Sequence, residues 1–247
     1  MKFLIDPRHH RSWVATNRDL SRKELSDLVL RNDVVVADLD DCILPSPAKR
    51  LAYERLKDPL SYVNPLFIYW ALTSARALAK DGKLAESDCW QKYIELFLDT
   101  EEKRKKAKQK VEELLEDGKL EEYPGAAKFF NLALKDTESY LLTRNIPEIA
   151  GIFKEKYRFS YAFSQAWNKQ RLSVLFVLDT RKKYLVVGDS VEDQKLVDQL
   201  KFYEGTMGIE RFTSIYVAES PDRRHLNENF TINIGRDYRG LVEILRE

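Results

Sequence analysis

Short apolar runs recur along the chain, and several of them end in a polar residue. These runs are rich in Val, Ile and Tyr and do not alternate with polar positions, which is typical of strands buried on both faces. Helical patterns lie between them, and this alternation predicts an α/β fold, a Rossmann-like parallel sheet with helices on both faces. The predicted strands span 34–37, 140–142, 159–163, 184–187, 214–218 and 231–234, and the predicted helices span 147–156, 170–178, 192–200 and 240–246.

One long stretch, residues 45–122, breaks this alternation because it contains no convincing strand. Apolar and aromatic residues recur at helical spacing over 64–80 and 87–99, and 100–116 has the pattern of a charged helix. We therefore expect a small all-helical domain inserted into the sheet domain and lying over its edge. The predicted domains are 1–44, the leader and the first part of the core; 45–122, the helical insertion; and 123–247, the remainder of the core.

Two helix starts carry capping signals. Ser21 is followed three residues later by Glu24, which predicts a capping box for a helix over 21–31, in the leader before the first predicted strand. Asn145 precedes Pro147, and this pair predicts a cap and a first-turn proline for the helix that follows.

Composition narrows the class of protein. The chain has 247 residues, of which 44% are hydrophobic, and its formal net charge is +1. A dedicated nucleic-acid binder usually shows a basic excess, so we expect no nucleic-acid partner. The two cysteines have no CxxC spacing, which argues against a zinc ribbon or a disulfide framework. No apolar run is long enough to span a bilayer, so the expectation is a cytoplasmic protein without a membrane partner, its oligomeric state left open.

Two acids, Asp38 and Asp40, follow the first predicted strand and are close enough in sequence to act in one reaction. Ligands of parallel sheets bind beyond the carboxyl ends of the strands, where Asp38, Thr143 and Asp189 are all predicted to lie. Asp38 could attack phosphorus as a carboxylate nucleophile, and Asp40 could protonate the leaving oxygen and later activate water. The alternative is that both acids only form a turn or cap a helix, as we expect of Asp41.

A second acidic cluster follows the predicted strand 184–187 and contains Asp189 and Asp193. Mg²⁺ binds oxygen ligands and usually takes only one or two protein carboxylates. Asp38, Asp189 and the backbone carbonyl of Asp40 could supply such a site, with Asp193 as a further ligand or as a partner of the ligands. The alternative for Asp193 is a helix cap.

These residues also carry a family resemblance. The run VVVADLDDCI at 34–43 resembles the first motif of the haloacid dehalogenase superfamily, and LTRN at 142–145 is similar to the second. Lys169 matches the lysine of the third motif, and VVGDSVED at 186–193 resembles the fourth. The motifs occur in family order from residue 34 to about 245. Cys42 departs from the pattern, because Thr or Val is usual there.

The resemblance implies a role for each matched residue. Asp38 would be the nucleophile and Asp40 the general acid and base. Thr143 and Lys169 would hold the oxygens of the transferring phosphoryl group, and we assign Arg144, in the same motif as Thr143, to substrate binding as well. This assignment agrees with the physics of phosphoryl transfer, in which positioning and charge neutralisation dominate.

The implied cofactor is Mg²⁺, held by Asp38, Asp40, Asp189 and Asp193. Lys169 has rivals for its role, but it follows a predicted strand and opens a helix, which places it at the same edge as the acids. The rivals lie at the opposite edge, and they are Lys154, Lys156, Lys182 and Lys183.

The insertion is similar to the cap that members of this family carry after the first motif, which closes over the site and selects the substrate. Its aromatic residues line a substrate pocket in one interpretation and form the insertion's own core in the other. Lys49 and Arg50 could contact an anionic substrate or lie exposed. The aromatic residues are Tyr62, Phe67, Tyr69, Trp70 and Trp90.

The leading hypothesis is a magnesium-dependent phosphatase that hydrolyses a small phosphorylated metabolite through an aspartyl-phosphate intermediate. The alternatives are a phosphomutase acting on a sugar phosphate and a non-catalytic relative that binds a phosphorylated ligand. The resemblance disfavours a dehalogenase, because such an enzyme would lack the second acid, here Asp40.

Overall fold

The computed structural model describes residues 1–8, 11–81, 86–177, 181–207, 211–222 and 225–247. One sheet of eight strands forms the centre of the protein. Its strands are β1 Lys2–Ile5, β2 Val14–Thr16, β3 Val34–Asp38, β4 Glu138–Leu142, β5 Tyr161–Phe163, β6 Tyr184–Gly188, β7 Phe212–Ala218 and β8 Ile232–Gly235.

The strands follow the order β1-β2-β8-β7-β6-β3-β4-β5. All pairs from β8 to β5 are parallel, whereas β1 and β2 form an antiparallel edge next to β8. The predicted α/β sheet is therefore confirmed. The prediction of 34–37 as the first strand is wrong, because the leader contributes β1 and β2.

The described residues contain ten α-helices, which lie around the sheet and in the insertion. They are α1 Arg22–Leu30, α2 Pro47–Lys57, α3 Pro65–Asp81, α4 Glu86–Phe97, α5 Glu101–Glu116, α6 Ala126–Ala133, α7 Pro147–Tyr157, α8 Lys169–Val177, α9 Val191–Met207 and α10 Arg239–Arg246, with a short 3₁₀ helix at Pro59–Val63. Helices α2 and α6 are not in the predicted set, and residue 178 of the predicted helix 170–178 lies outside the described residues. No helix in the described part of the chain is long and apolar enough to cross a membrane.

Alternate residues of β3 face opposite sides of the sheet. Val35 and Ala37 belong to a large apolar cluster with residues of α1, α6, α7 and α10, whereas Val34 and Val36 pack with residues of α8 and α9. Both faces are thus covered by helices, and this explains why the strand sequences are continuously apolar. At the start of α1, Ser21 and Glu24 form the predicted capping box.

The described residues of the inserted segment form helices α2 to α5 and the short 3₁₀ helix, joined by brief turns, and include no strand. Phe67 and Trp70 are buried and contact the rings of Tyr93 and Phe97, so they form the insertion's own core. Helix α5 packs on α7 of the sheet domain, and Arg104 lies 2.8 Å from Glu148 across this contact. The insertion therefore shares its apolar core with the sheet domain rather than folding apart from it.

Candidate functional site

The carboxyl ends of three parallel strands bring the motif residues together. In the sheet register Asp38 pairs with Leu142 of β4, and Ala37 pairs with Val187 of β6. Thr143 and Asp189 each follow directly after one of these neighbouring strands, so they lie at the same edge as Asp38. This edge is the usual ligand site of an open α/β sheet.

Lys169, the first residue of α8, lies beneath this edge with a fully buried side chain. Its Nζ lies 2.6 Å from Asp38 Oδ2 and 2.8 Å from Asp193 Oδ1. Two of the rivals have partners of their own: Lys156 pairs with Glu122 and Lys182 with Glu138. A single buried ammonium thus joins the first and last motifs.

Asp193 is held by its own turn as well as by Lys169. Its Oδ2 accepts hydrogen bonds from the backbone N–H groups of Asp189 and Ser190 and from Ser190 Oγ, the last at 2.6 Å. A Cβ at Gly188 would lie 2.4 Å from Asp193 Cγ, so only glycine allows the carboxylate to fold back against the strand end. Asp193, in the first turn of α9, therefore bonds back to the residues that precede the helix and is also the partner of Lys169.

Asp40 forms a separate buried network. Thr143 Oγ1 donates to Asp40 Oδ2 at 2.8 Å, and Asn145 Nδ2 lies 2.7 Å from Oδ1 and 2.8 Å from Oδ2. The predicted capping role of Asn145 is wrong, because the N-cap of α7 is Ile146 and no side chain bonds to the helix start. The side-chain amide of Asn145 instead donates to the carboxylate of Asp40, which is buried and needs hydrogen-bond donors.

The loop that carries Lys169 is tied to the loop that carries Thr143. The backbone N–H of Gln165 donates to the carbonyl of Asn145, and that of Ala166 donates to the carbonyl of Thr143, both at 2.9 Å. Two motif loops thus share a hydrogen-bonded backbone, which sets Lys169 relative to Asp40.

Burial controls the acidity of this cluster. It raises the pKa of Asp38 to about 7 even though the Lys169 ammonium lowers it. Burial, with the charges of Asp38 and Asp193, also raises the pKa of Asp189 well above its ordinary value. At Asp193 burial acts in the same direction, but Lys169 and Ser190 outweigh it and lower the pKa. Lys169 therefore does not suffice to keep all three carboxyl groups ionised.

The residues present fit a divalent cation. Asp38, Asp189 and Asp193 offer carboxylate oxygens that all lie within 4.8 Å of one another. Asp189 Oδ1 is buried and accepts no hydrogen bond from any residue that the structure describes. A buried anionic oxygen without a donor is costly, and an all-oxygen set suits Mg²⁺. Since Lys169 and the turn already engage Asp193, Asp38 and Asp189 are the stronger candidates for direct ligands.

Asp41 and Cys42, near the end of the first motif, contact other residues of the protein and have no assigned chemical role. Asp41 adopts a left-handed turn conformation with φ of 57° and lies 2.5 Å from Lys49 Nζ. The Cys42 side chain is buried, and Tyr238 Oη donates to the Cys42 carbonyl. Burial raises the pKa of the Cys42 thiol well above its usual value, which disfavours thiolate chemistry.

A narrow crevice opens between the insertion and the sheet domain beside Asp40. It has a volume of about 10 Å³, which is about the minimum for one water molecule. The crevice therefore holds no more than about one water molecule, and a larger ligand would fit only if its walls moved apart. The crevice is lined by Asp40, Ser46, Ala48, Lys49, Trp90, Ile94, Arg144, Asn145 and Trp167.

Sequence reasoning missed Asn145 as a site residue and Trp167 as a crevice residue. The two remaining aromatic residues of the insertion, Tyr62 and Tyr69, are exposed and line neither the core nor the crevice. Arg50 lies 3.4 Å from Glu54 on the same helix, so its charge is matched locally.

No protein-family model and no curated protein matches the sequence. Among solved structures, a substrate-bound phosphoserine phosphatase has a TM-score of 0.53 and 14% identity, over 86% of this chain and 98% of that chain. A phospho-aspartyl intermediate analogue of phosphoserine phosphatase gives the same values. A protein assigned as a haloacid dehalogenase-like hydrolase, from Burkholderia xenovorans LB400, has a TM-score of 0.50 and 13% identity, over 86% of this chain and 96% of that chain. Together with the sheet order and the inserted helices, these similarities show that the chain has the fold of the haloacid dehalogenase superfamily.

Proposed function

We propose that this protein is a magnesium-dependent phosphatase that hydrolyses a small phosphomonoester through a phosphorylated Asp38. The observation that carries the proposal is the buried pair of Asp38 and Lys169, with Asp40 two residues further on in its own hydrogen-bonded network. This arrangement supports the proposal, because phosphoryl transfer needs a nucleophile, a positive charge and a proton donor close together.

In the first half of the reaction a carboxylate oxygen of Asp38 attacks phosphorus, and the bond from phosphorus to the ester oxygen breaks. Asp40, protonated at this point, gives its proton to the leaving oxygen. The alcohol departs, and Asp38 carries the phosphoryl group as an acyl phosphate.

In the second half Asp40, now a carboxylate, takes a proton from a water molecule as the water oxygen attacks phosphorus. The bond between phosphorus and Asp38 breaks, inorganic phosphate leaves, and Asp38 is a carboxylate again. Thr143 and Asn145 hold Asp40 at two points, so the same oxygens can serve in both halves.

Lys169 has two tasks in this scheme. Its charge favours the ionised form of Asp38, opposing the effect of burial on that pKa. Once the phosphoryl group lies between them, the ammonium neutralises charge on the phosphoryl oxygens. Asp193 keeps the ammonium in place by an ion pair of 2.8 Å.

Asp38 and Asp189, with the backbone carbonyl of Asp40, would hold Mg²⁺, and Asp193 would act as a further ligand or support them. When bound, the ion supplies positive charge that balances the clustered carboxylates and the phosphoryl oxygens. Arg144, which lines the crevice next to Asp40, would bind substrate.

The test is release of phosphate from 4-nitrophenyl phosphate by the purified protein, with Mg²⁺ and with excess chelator. We expect hydrolysis that requires the metal and is lost in Asp38→Asn. Arg50→Met is a matched control, because this partly exposed ion pair with Glu54 on the same helix should contribute little. Full activity in excess chelator would contradict the metal requirement.

A further inference from the structure

The crevice beside Asp40 is separate from the part of the site that holds the phosphoryl group. Its lining includes Asp40 and Arg144 but none of Asp38, Lys169 and Asp189. The crevice therefore borders Asp40 without being lined by the proposed nucleophile or by Asp189.

If the proposed function holds, the crevice is where the leaving group of the substrate binds. A general acid must lie within hydrogen-bond reach of the oxygen that it protonates. If Asp40 protonates the leaving oxygen, the alcohol portion of the ester extends from Asp40 into the crevice. The residues that line the crevice then contact the part of the substrate that distinguishes one phosphomonoester from another.

Two cationic side chains line this compartment. Arg144 is half-buried and makes no hydrogen bond or ion pair with another residue in the described part of the chain. Lys49 approaches from α2 and is held by Asp41 at 2.5 Å, with 21% of its side chain exposed. Burial lowers the pKa of Arg144, but the nearby carboxylates raise it more, so the guanidinium is charged. A guanidinium in a closed crevice without a direct partner is suited to an anionic ligand.

The rest of the lining is largely apolar, with Ser46 and Asn145 as its polar members. Trp90 of the insertion and Trp167 of the sheet domain are half-buried, and Ile94 and Ala48 are buried beside them. Large ring faces and aliphatic groups favour a planar or apolar body over a polyhydroxylated one.

We propose that the substrate is a phosphomonoester whose leaving group carries a second negative charge on a small apolar or planar body, bound by Arg144 and Lys49. The charge can belong to a carboxylate or to a second phosphate, because a guanidinium and an ammonium bind either. Arg144 and Lys49 are then the residues that determine specificity.

A matched set of esters tests this. Phenyl phosphate has a neutral leaving group, 4-carboxyphenyl phosphate adds a carboxylate, and 1,4-phenylene bisphosphate adds a phosphate. We expect kcat/KM in Mg²⁺ to be higher for at least one anionic ester than for phenyl phosphate, and the preferred ester identifies the anion. For each ester we compare kcat/KM of wild type with kcat/KM of the variant, because differences in the intrinsic reactivity of the esters cancel in this ratio.

The preference for the anionic ester should fall about tenfold or more in Lys49→Met and in Arg144→Met, because each removes a charged partner. Arg144→Lys retains the charge and should keep part of the preference, which a merely structural role would not explain. Arg50→Met, one residue along α2 from Lys49, should leave the preference unchanged.

Three outcomes would overturn the inference. Hydrolysis of all three esters without preference for a charged one would refute it while leaving the proposed function in place. Equal loss on all three esters in Arg144→Met would show that this arginine only balances the carboxylates. If the wild-type protein hydrolysed none of the esters, the proposed function would fail and the inference with it.

Discussion

The ammonium of Lys169 lies 2.6 Å from Oδ2 of Asp38, and both side chains are completely buried. The two residues are far apart in the chain, and α8 brings the lysine to the end of β3. A buried charge is stable only with a partner, so each of these side chains depends on the other. The pair therefore links the stability of the sheet edge to the proposed chemistry.

Removal of the lysine should expose this dependence. Lys169→Met leaves three neighbouring carboxylates without their buried cation, and we expect a loss of about 3–5 kcal/mol in the free energy of unfolding in chelator. Urea denaturation measures it. Lys182→Met is the control, since its pair with Glu138 is partly exposed and should contribute at most about 1 kcal/mol. Equal stability of Lys169→Met and wild type would contradict the role of the pair.

Divalent cations should stabilise the folded protein. Binding to the native state alone raises the melting temperature in proportion to the logarithm of ligand concentration once the site is nearly saturated. We expect Mg²⁺ to raise the Tm of wild type and to have little effect on the Tm of Asp189→Asn, as measured by differential scanning fluorimetry. An equal Mg²⁺ response in both proteins would exclude Asp189 as a ligand.

Calcium should not support hydrolysis, because its longer bonds and larger ligand number disturb the attack geometry.

The metal-free protein should respond to pH through Asp189. The pKa of this carboxyl is raised in the folded state from an ordinary value of 3.8, so the folded protein binds the proton more tightly than the unfolded chain. Stability from this group is therefore present at low pH and is lost as pH rises above the ordinary value. Asp189→Asn mimics the protonated form. In chelator, the Tm of this variant minus the Tm of wild type should therefore increase as the pH rises from about 5, roughly one unit above the ordinary carboxyl pKa, to about 8. A constant or shrinking difference would contradict the raised pKa.

Asn145 should act as a positioning residue for Asp40. Its amide lies 2.7 Å and 2.8 Å from the two carboxylate oxygens. Asn145→Ala should lower kcat by about one to two orders of magnitude for an alkyl phosphate, whose leaving oxygen needs a proton, and less for 4-nitrophenyl phosphate. A general loss of structure would lower both rates equally. Asn131→Ala, at an exposed position of α6, is the control.

The motif-bearing strands could be predicted from sequence because their side chains are buried on both faces. Val34–Asp38 and Tyr184–Gly188 are fully buried and carry continuous apolar residues, so their ends mark where Asp38 and Asp189 lie. Parallel pairing then requires those ends to meet at one edge.

The edge strands β1 and β2 could not be predicted in the same way. They have four and three residues, which is too short for a periodic signal. Their place beside β8 depends on antiparallel pairing with a strand at the other end of the chain, a tertiary contact that local patterns do not contain.

The contact between Asn145 and Asp40 illustrates the same limit within the site. An asparagine before a proline favours a helix cap by local rules. The buried carboxylate of Asp40 needs hydrogen-bond donors, and the side-chain amide of Asn145 is one of them, although the two residues are 105 positions apart in the chain. The crevice residue Trp167 was missed because it lies in a loop without periodicity, between β5 and α8.

In the proposed reaction Asp38 is the residue that becomes phosphorylated, and trapping the phosphorylated enzyme tests this role. Asp40→Asn should still permit attack on 4-nitrophenyl phosphate, whose leaving group needs no proton, but should slow hydrolysis of the phosphorylated enzyme. Intact-protein mass spectrometry after a rapid acid quench should then show the added mass of one phosphoryl group, and peptide mapping should place it on Asp38. The double variant Asp38→Asn with Asp40→Asn should show none. A phosphoryl group on any other residue, or near-normal turnover by folded Asp38→Asn, would contradict the account.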